Sequence, residues 1–398
     1  MQQSNSLESV ASTRCTYCGN NPVNHRYRYF SQTLSVLVST WELPMPLNEA
    51  VRARIEKKMM RLIFALLKLV GILRYTEAVR PVSDRSLVVY EEGKRRGHTI
   101  EQVFFCGKPT EDYRILHTGI WHHYTSLPLS DGENTALKAL VDSKAYLKNL
   151  FLQHGVRVPH GGRATSVEEA TQIFERIEKP VIVKPEIGSR GRHTITHIKT
   201  KEELREAFQI AQELCRFVVV EEHLSGSVYR ATCVDGNVVG VLRGDPPRVT
   251  GDGASSINEL ITRKNATKHA RQRDFVRTKS SLAFLNRQGY SLDTVLPSAV
   301  TIDLTEKIGL SYGGFAVEEF RRTHPKLLAL LSQASSVLGL PIVGFDVISE
   351  DITQDPDRVR WGIIEANTLP FIDLHHFPVE GDPVNVAASV WALWEKSN

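Results

Sequence analysis

The sequence predicts an α/β protein built from more than one lobe, with strands and helices alternating from about residue 84 onward. Its 398 residues exceed what one typical hydrophobic core accommodates, so two or three lobes are expected. A hydrophobic content of 41% and a charged content of 24% are typical of a soluble globular protein. In the last quarter, two apolar runs with strand character each carry oxygen-bearing side chains.

These two runs predict a metal site. Residues 339–348 carry Asp346, and residues 361–370 carry Glu365 and Asn367, which face the same way because side chains alternate along a strand. If the two strands are neighbours, three oxygen donors converge, as a Mg²⁺ ion bridging nucleotide phosphates requires. The alternative is an ordinary acidic strand end that faces solvent.

The bulk charge and the cysteines narrow the class of protein. A net charge of +4 is small for this length and fits anionic ligands such as nucleotides, without arguing for nucleic acid. The five scattered cysteines do not resemble a disulfide framework, which favours a reducing cytosol.

The first residues lack the features of a signal peptide. The apolar run 62–73 is too short for a bilayer and predicts a helix packed on the protein, with an interfacial or dimerisation helix as the alternative.

Cys15-Thr-Tyr-Cys18 is half of a zinc-ribbon pattern, and His25 is the only further ligand nearby in the sequence. Because structural zinc takes four protein ligands, the pair is expected to be incidental.

Taken in order, the chain divides into three parts. Residues 1–80 form an N-terminal extension with one amphipathic helix and a β-prone run at 34–40. Residues 81–135 predict a small α/β lobe, with a helix over 85–96 ended by Gly97 and a hairpin across Thr118-Gly119. Residues 136–398 form the largest unit, in which Thr200 and Glu203 have capping-box spacing.

A lysine and a glycine-rich loop predict a phosphate site. Lys184 ends an apolar strand and is followed by Gly188-Ser189-Arg190-Gly191, whose backbone N–H groups can approach phosphate oxygens and close over them. The pattern is neither a P-loop nor a Rossmann fingerprint, and a plain β-turn remains the alternative. A further apolar strand ends in Glu221-Glu222 and can pair with the amino edge of an adenine.

Together these motifs resemble the ATP-grasp fold. Lys144, Val-Lys-Pro with its glycine-rich lid, Glu-Glu-x-Leu-x-Gly, and Asp346 with Glu365-x-Asn367 stand in the order of that fold. The sequence is most similar to the ATP-grasp module of cyanophycin synthetases and related glutathione synthetase modules. That closer similarity lies in residues 248–261, 310–317, 344–352 and 375–387. The resemblance implies an ATP-grasp catalytic domain over 136–398, with a lid subdomain at about 180–245, preceded by a small α/β pre-ATP-grasp lobe.

The resemblance also implies a role for each matching residue. ATP would be held by Lys144 and Lys184 at the phosphates, by Gly188, Ser189 and Gly191 in the lid, and by Glu221, Glu222 and Leu224 near the adenine. Asp346, Glu365 and Asn367 would ligate Mg²⁺, with Mn²⁺ as an alternative. The catalytic side would comprise Arg230 and Arg243 facing the phosphates, Ser311, Gly313 and Gly314 near the acceptor, and Lys307 in place of an arginine of the family. Val228 stands where relatives carry an acidic residue against the ribose.

The implied activity is an ATP- and Mg²⁺-dependent carboxylate–amine ligase that forms an amide bond through an acyl phosphate. An ATP-grasp phosphotransferase without ligation and a non-catalytic ATP-binding scaffold are the alternatives. The expected partners are a small-molecule or peptide carboxylate and an amine, without nucleic acid or membrane, and a homo-oligomer is left open. Because nothing follows residue 398, the Mur-ligase-like domain of full cyanophycin synthetases is expected to be absent. The expected location is the cytoplasm.

Overall fold

A computed structural model of the chain describes residues 15–18, 23–40, 69, 71–129, 141, 144–187 and 192–397, with side chains not described at 16, 35–40, 145 and 287. Its strands form three sheets of four or five strands and one strand pair.

The first sheet and its helix form the small N-terminal α/β unit. Helix α2 (Asp84–Arg95) begins at Ser83, whose hydroxyl accepts a hydrogen bond from the Ser86 N–H, and is followed by Gly97 at φ 87°. His117 lies opposite Ile120, so the predicted hairpin across Thr118-Gly119 is confirmed. The antiparallel strands run in the order β1 (Leu73–Thr76), β2 (Thr99–Phe105), β3 (Lys108–His117) and β4 (Ile120–Thr125).

The second sheet carries Lys184, one of the lysines expected to hold the phosphates. Its strand order is β5-β8-β6-β7, and its buried side chains, such as Val183 and Val220, pack against helices α4 and α5. Thr200 and Glu203 form the predicted capping box at the start of α5. The elements are β5 (Gly161–Ala164), α4 (Val167–Arg176), β6 (Val181–Pro185), β7 (Ile195–Ile198), α5 (Lys201–Gln212) and β8 (Val218–Glu222).

The central sheet has five antiparallel strands in the order β13-β10-β9-β14-β15. One face packs on helices α3 and α8 through a core that includes Phe151, Leu331 and Phe345. The elements are α3 (Lys144–Gln153), β9 (Ser227–Val234), β10 (Asn237–Asp245), β13 (Phe315–Glu318), α8 (Pro325–Leu338), β14 (Ile342–Ser349) and β15 (Trp361–Asn367). The lid subdomain predicted at about 180–245 therefore includes strands of two sheets: β6, β7 and β8 of the second sheet, and β9 and β10 of the central sheet.

The remaining elements comprise a strand pair and two helices with a hydrophobic cluster of their own over 248–304, and two helices after the central sheet in the chain. The C-terminal helix α10 packs on α2, where a Cβ on Gly93 would lie 2.4 Å from Trp391. The glycine thus allows the two helices to approach closely. These elements are β11 (Arg248–Thr250), α6 (Ile257–Thr267), α7 (Lys279–Arg287), β12 (Thr301–Asp303), α9 (Asp373–His376) and α10 (Val386–Ser397), with 3₁₀ turns at Thr16–Cys18, Leu310–Tyr312 and Phe320–Arg322.

The N-terminal extension differs from expectation. Helix α1 spans His25–Thr40, so the strand character assigned to 34–40 is wrong. Local β propensity there is overridden by the helical context, as is common for short β-branched runs. The predicted helix over 62–73 lies largely outside the described residues, and its last residue, Leu73, begins β1. Among the described helices, none has the length and apolar character needed to span a bilayer.

Candidate active site

Asp346 stands at the centre of a charged cluster on the central sheet. On one side it lies opposite Glu365 of β15, and on the other it lies opposite Arg230 of β9. The Arg230 guanidinium donates two hydrogen bonds to the Asp346 carboxylate, at 2.8 and 3.1 Å. Asn367 is opposite Gly344, two positions along β15 from Glu365, and therefore projects from the same face.

Three cations surround the two carboxylates. Burial is the largest influence on Glu365 and raises the pKa of its carboxyl, and the neighbouring Asp346 acts in the same direction. Lys144, Lys184 and Arg230 act against this rise. The carboxylates of β14 and β15 and the ammonium groups of α3 and β6 thus share one electrostatic environment.

A buried ion triad lies beside this cluster. The Glu221 carboxylate contacts the Lys184 ammonium at 2.8 Å and the Lys148 ammonium at 3.0 Å, and all three residues are largely buried. Burial is the largest influence on the Glu221 carboxyl and by itself raises its pKa, but the two lysines outweigh it and lower the pKa to about 2. Glu221 therefore holds two lysines in place.

Lys148 was missed by the sequence reasoning, although helical spacing offered a signal. It lies four residues after Lys144 on α3, so the two ammonium groups project from one side of that helix. The Lys144 ammonium donates to the backbone carbonyl of Glu186 at 3.3 Å, just after strand β6. Both lysines of α3 are thereby directed toward the second sheet.

The other residues expected near the adenine lie at the end of β8. The Glu222 carboxylate accepts hydrogen bonds from the His160 N–H at 2.9 Å and from Arg360 at 3.0 Å. Leu224 is buried, and its side chain would lie 3.0 Å from a Cβ on Gly362 of β15. This strand end therefore lies at the junction of the second and central sheets.

Arg243 corrects one expectation. It was expected to face the phosphates together with Arg230, but Leu242, not Arg243, is opposite Arg230 in the β9–β10 register. Because side chains alternate, Arg243 projects from the other face of the sheet, where it pairs with Asp245 at 3.0 Å and Glu319 at 2.8 Å. The two arginines therefore do not meet at one point.

Of the residues expected on the acceptor side, Lys307 and Ser311 line a cleft of about 380 Å³, whose walls also include Arg273 and Thr278. Burial, the largest influence, lowers the pKa of the Lys307 ammonium. Gly313, at φ 81°, and Gly314 follow Ser311 and bring this turn against the end of β10.

The predicted lid residues Gly188, Ser189 and Gly191 lie outside the described residues. Several side chains of the basic run 263–279 are paired within the protein. Arg271, for example, donates to Asp84 at 2.8 Å, and Lys264 donates to the Gly313 carbonyl at 2.8 Å.

The chemistry of the central cluster fits a hard divalent cation. Asp346, Glu365 and Asn367 offer carboxylate and amide oxygens from one face of two adjacent strands, which are the ligand types that Mg²⁺ selects. Two carboxylates that face each other across strands repel unless a cation lies near them, and the raised pKa of Glu365 reflects this in part.

Comparison with known proteins connects this geometry to a fold. The cyanophycin synthetase of Synechocystis sp. is 34% identical over 263 residues, which cover 63% of this chain and 30% of that protein. The glutathione biosynthesis bifunctional protein GshAB of Clostridium perfringens is 25% identical over 289 residues, covering 68% of this chain and 36% of that protein. In structure, the bifunctional glutathione synthetase from Pasteurella multocida aligns with a TM-score of 0.58 at 20% identity, over 79% of this chain and 43% of that one. This chain has the ATP-grasp fold.

Its ATP-grasp module is similar to those of cyanophycin and glutathione synthetases, as the sequence resemblance implied. The predicted mixed α/β ATP-grasp fold is confirmed. The chain spans about a third of the length of the curated relatives it matches. No family model matches it.

Proposed function

We propose that this ATP-grasp protein is an ATP- and Mg²⁺-dependent carboxylate–amine ligase. In the proposed reaction a carboxylate oxygen attacks the γ-phosphate of ATP, giving an acyl phosphate and ADP. An amine then displaces inorganic phosphate and forms an amide. The observation that carries the proposal is the cross-strand pair Asp346–Glu365, with Lys144, Lys184 and Arg230 acting on the same carboxyl group.

Each part of the cluster has a task in such a reaction. Lys144, Lys148 and Lys184 would hold the phosphates, and Glu221 fixes the positions of the last two. Arg230, already fixed by two hydrogen bonds to Asp346, would stabilise negative charge on the transferring group. When bound by Asp346, Glu365 and Asn367, Mg²⁺ (or Mn²⁺) would neutralise charge on the phosphate oxygens. Arg243 has no part in this set, because it projects from the opposite face of the sheet.

The substrates proposed are an amino acid, a peptide or a similar small carboxylate, and an amine. The cleft lined by Arg273 and Lys307 supports an anionic substrate, because it brings two cationic side chains together with the hydroxyl groups of Thr278 and Ser311. The proposed organisation is an N-terminal extension over 1–80, a small lobe over 81–135 and the catalytic domain over 136–398. The proposed use of ATP and five cysteines that form no disulfide support a cytoplasmic location.

The test is ADP release in the presence of paired carboxylates and amines, beginning with amino acids and short peptides, followed by mass spectrometry of the products. Ligation requires that ADP formation depend on both substrates and that a product of their combined mass, less water, appear. A stable phosphorylated product formed without any amine would support the phosphotransferase alternative. ATP binding without turnover over a wide substrate panel would support the scaffold alternative.

A further inference from the structure

The Cys-x-x-Cys pair near the N-terminus has two further ligand groups in space. Sγ of Cys15 and Cys18 and ring nitrogens of His25 and His193 all lie within 4.8 Å of one another. His193 comes from the loop before β7, 178 residues beyond Cys15. The expectation that the cysteine pair is incidental rested on the lack of a fourth ligand, and His193 removes that objection.

The distances match a tetrahedral zinc site. Nε2 of His193 lies 3.4 Å from Sγ of Cys15 and 3.5 Å from Sγ of Cys18, and Nε2 of His25 lies 3.2 Å from Sγ of Cys18. Zn–S bonds of about 2.3 Å and Zn–N bonds of about 2.0 Å at tetrahedral angles separate sulfur and nitrogen ligands by about 3.5 Å. Two thiolates and two imidazoles form a common structural zinc set.

The outer ring nitrogens of both histidines have the partners that metal-bound histidines usually have. Nδ1 of His193 lies 2.6 Å from the carbonyl oxygen of Ile210, which can only accept a hydrogen bond, so Nδ1 carries the proton and Nε2 presents a lone pair to the sulfurs. Nδ1 of His25 lies 3.3 Å from the Glu213 carboxylate, an arrangement of carboxylate, histidine and metal seen in zinc proteins. His193 is fully buried.

The site lies where the N-terminal extension meets the second sheet. The Tyr17 carbonyl accepts a hydrogen bond from the His193 N–H, and Thr33 of α1 accepts one from the Arg216 N–H. Among the side chains of α1 that the structure describes, Tyr27 and Phe30 are each 70% exposed. A short element that buries little apolar surface gains most from a metal crosslink.

We propose that Cys15, Cys18, His25 and His193 form a structural Zn²⁺ site that fastens the N-terminal extension to the sheet β5-β8-β6-β7. Four protein ligands complete the tetrahedral coordination of the zinc ion and leave no position for a substrate, so the role of the ion is structural. The proposal is independent of the ligase function, since it concerns ligands outside the central cluster.

The test measures the zinc content of the full chain, produced in zinc-supplemented medium and freed of loosely bound metal by gel filtration. The expected result is one zinc ion per chain in the wild type, and zinc content near zero in Cys18→Ser and His193→Asn. Cys106→Ser is the matched control, because Cys106 is exposed and outside the cluster, and it should keep its zinc. Asp346→Asn should also keep its zinc, which separates this ion from one held by the central carboxylates.

Two further measurements apply if the ligand variants fail to fold. His25→Cys preserves four ligands and should retain zinc. Cobalt substitution of the wild-type protein should give the visible bands of a tetrahedral site and the near-ultraviolet bands of thiolate ligation. Folded wild-type protein without zinc and without such cobalt bands, or zinc retained in both Cys18→Ser and His193→Asn, would show that the four groups only hydrogen-bond to one another and would overturn the proposal.

Discussion

Asp346 on β14 lies directly opposite Glu365 on β15, and its carboxylate is held by two hydrogen bonds from Arg230 on the other neighbouring strand. The register of the sheet thus places two carboxyl groups side by side, with the Arg230 guanidinium held beside them. Such an arrangement is costly for folding alone, because like charges opposite each other across strands repel. It is favourable once a divalent cation binds both carboxylates.

Asp346→Asn and Glu365→Gln should each lower Mg²⁺-dependent ATP turnover by roughly 100-fold or more, because each removes a charged metal ligand. The measurement is ADP formation as a function of Mg²⁺ concentration. Asp382→Asn is the control, since Asp382 pairs with Arg321 at 2.8 Å on the surface, where both side chains are more than two-thirds exposed. Equal turnover in Asp346→Asn and Asp382→Asn would contradict the assignment of the metal ligands.

Glu221→Gln should lower the free energy of unfolding by roughly 3–5 kcal/mol, because it leaves two largely buried ammonium groups without their counter-ion. Urea unfolding measures the loss. Glu175→Gln is matched to it, since Glu175 pairs with Lys201 on the surface, and this variant should lose much less stability. Similar losses of unfolding free energy in the two variants would contradict the burial of the triad of Lys148, Glu221 and Lys184.

The lowered pKa of the Glu221 carboxyl makes the stability of the folded protein depend on pH. The pKa of Glu221 in the folded protein is about 2, below its ordinary value of 4.5. Its contribution is therefore fully present above about pH 4.5 and is lost as the pH falls toward 2. The difference in unfolding free energy between wild type and Glu221→Gln should shrink over that window. A difference that stays constant from pH 5 to 3, or grows as the pH falls, would be inconsistent with the lowered pKa.

Lys148→Met should raise the KM for ATP about tenfold, because one charge-assisted contact to the phosphates is lost. Lys184 remains to pair with Glu221 in this variant. Lys201→Met, which removes a surface lysine paired with Glu175, should leave the KM unchanged. If Lys148→Met behaves like Lys201→Met in steady-state kinetics, Lys148 does not contact the nucleotide.

Gly314→Ala should lower the free energy of unfolding by roughly 2 kcal/mol or more, because the added Cβ would lie 2.1 Å from the carbonyl oxygen of Asp245. The comparison is Gly244→Ala on β10, where the nearest atom, in Ile308, is 3.6 Å from the added Cβ. Thermal or urea unfolding of both variants distinguishes a steric cost from a general effect of losing a glycine. Equal stability of the two variants would contradict the close approach at Gly314.

The sequence predicted what depends on local pattern. Alternation alone placed Glu365 and Asn367 on one face, and capping spacing located the start of α5. Arg230 and Arg243 lie on the two strands of one hairpin, whose register shifts by one residue at a β-bulge between Val238 and Gly240. The sequence does not mark this bulge, so Arg243 was assigned to the wrong face of the central sheet.

Contacts between residues distant in the chain could not be predicted from the sequence either. The pairing of Lys148 with Glu221 joins residues 73 positions apart, and no local pattern marks it. His193 likewise meets the Cys-x-x-Cys pair only through the packing of α1 on the second sheet. In both cases the missing information was which element packs on which.

The most direct test of the central cluster needs no knowledge of the substrates. Isothermal titration of the wild-type protein with a non-hydrolysable ATP analogue, with and without Mg²⁺, measures whether nucleotide and metal share one site. We expect Mg²⁺ to strengthen binding in the wild type, and this strengthening to be lost in Asp346→Asn and Glu365→Gln. Binding that is indifferent to Mg²⁺ in the wild type, or a Mg²⁺ effect that survives in both variants, would contradict it.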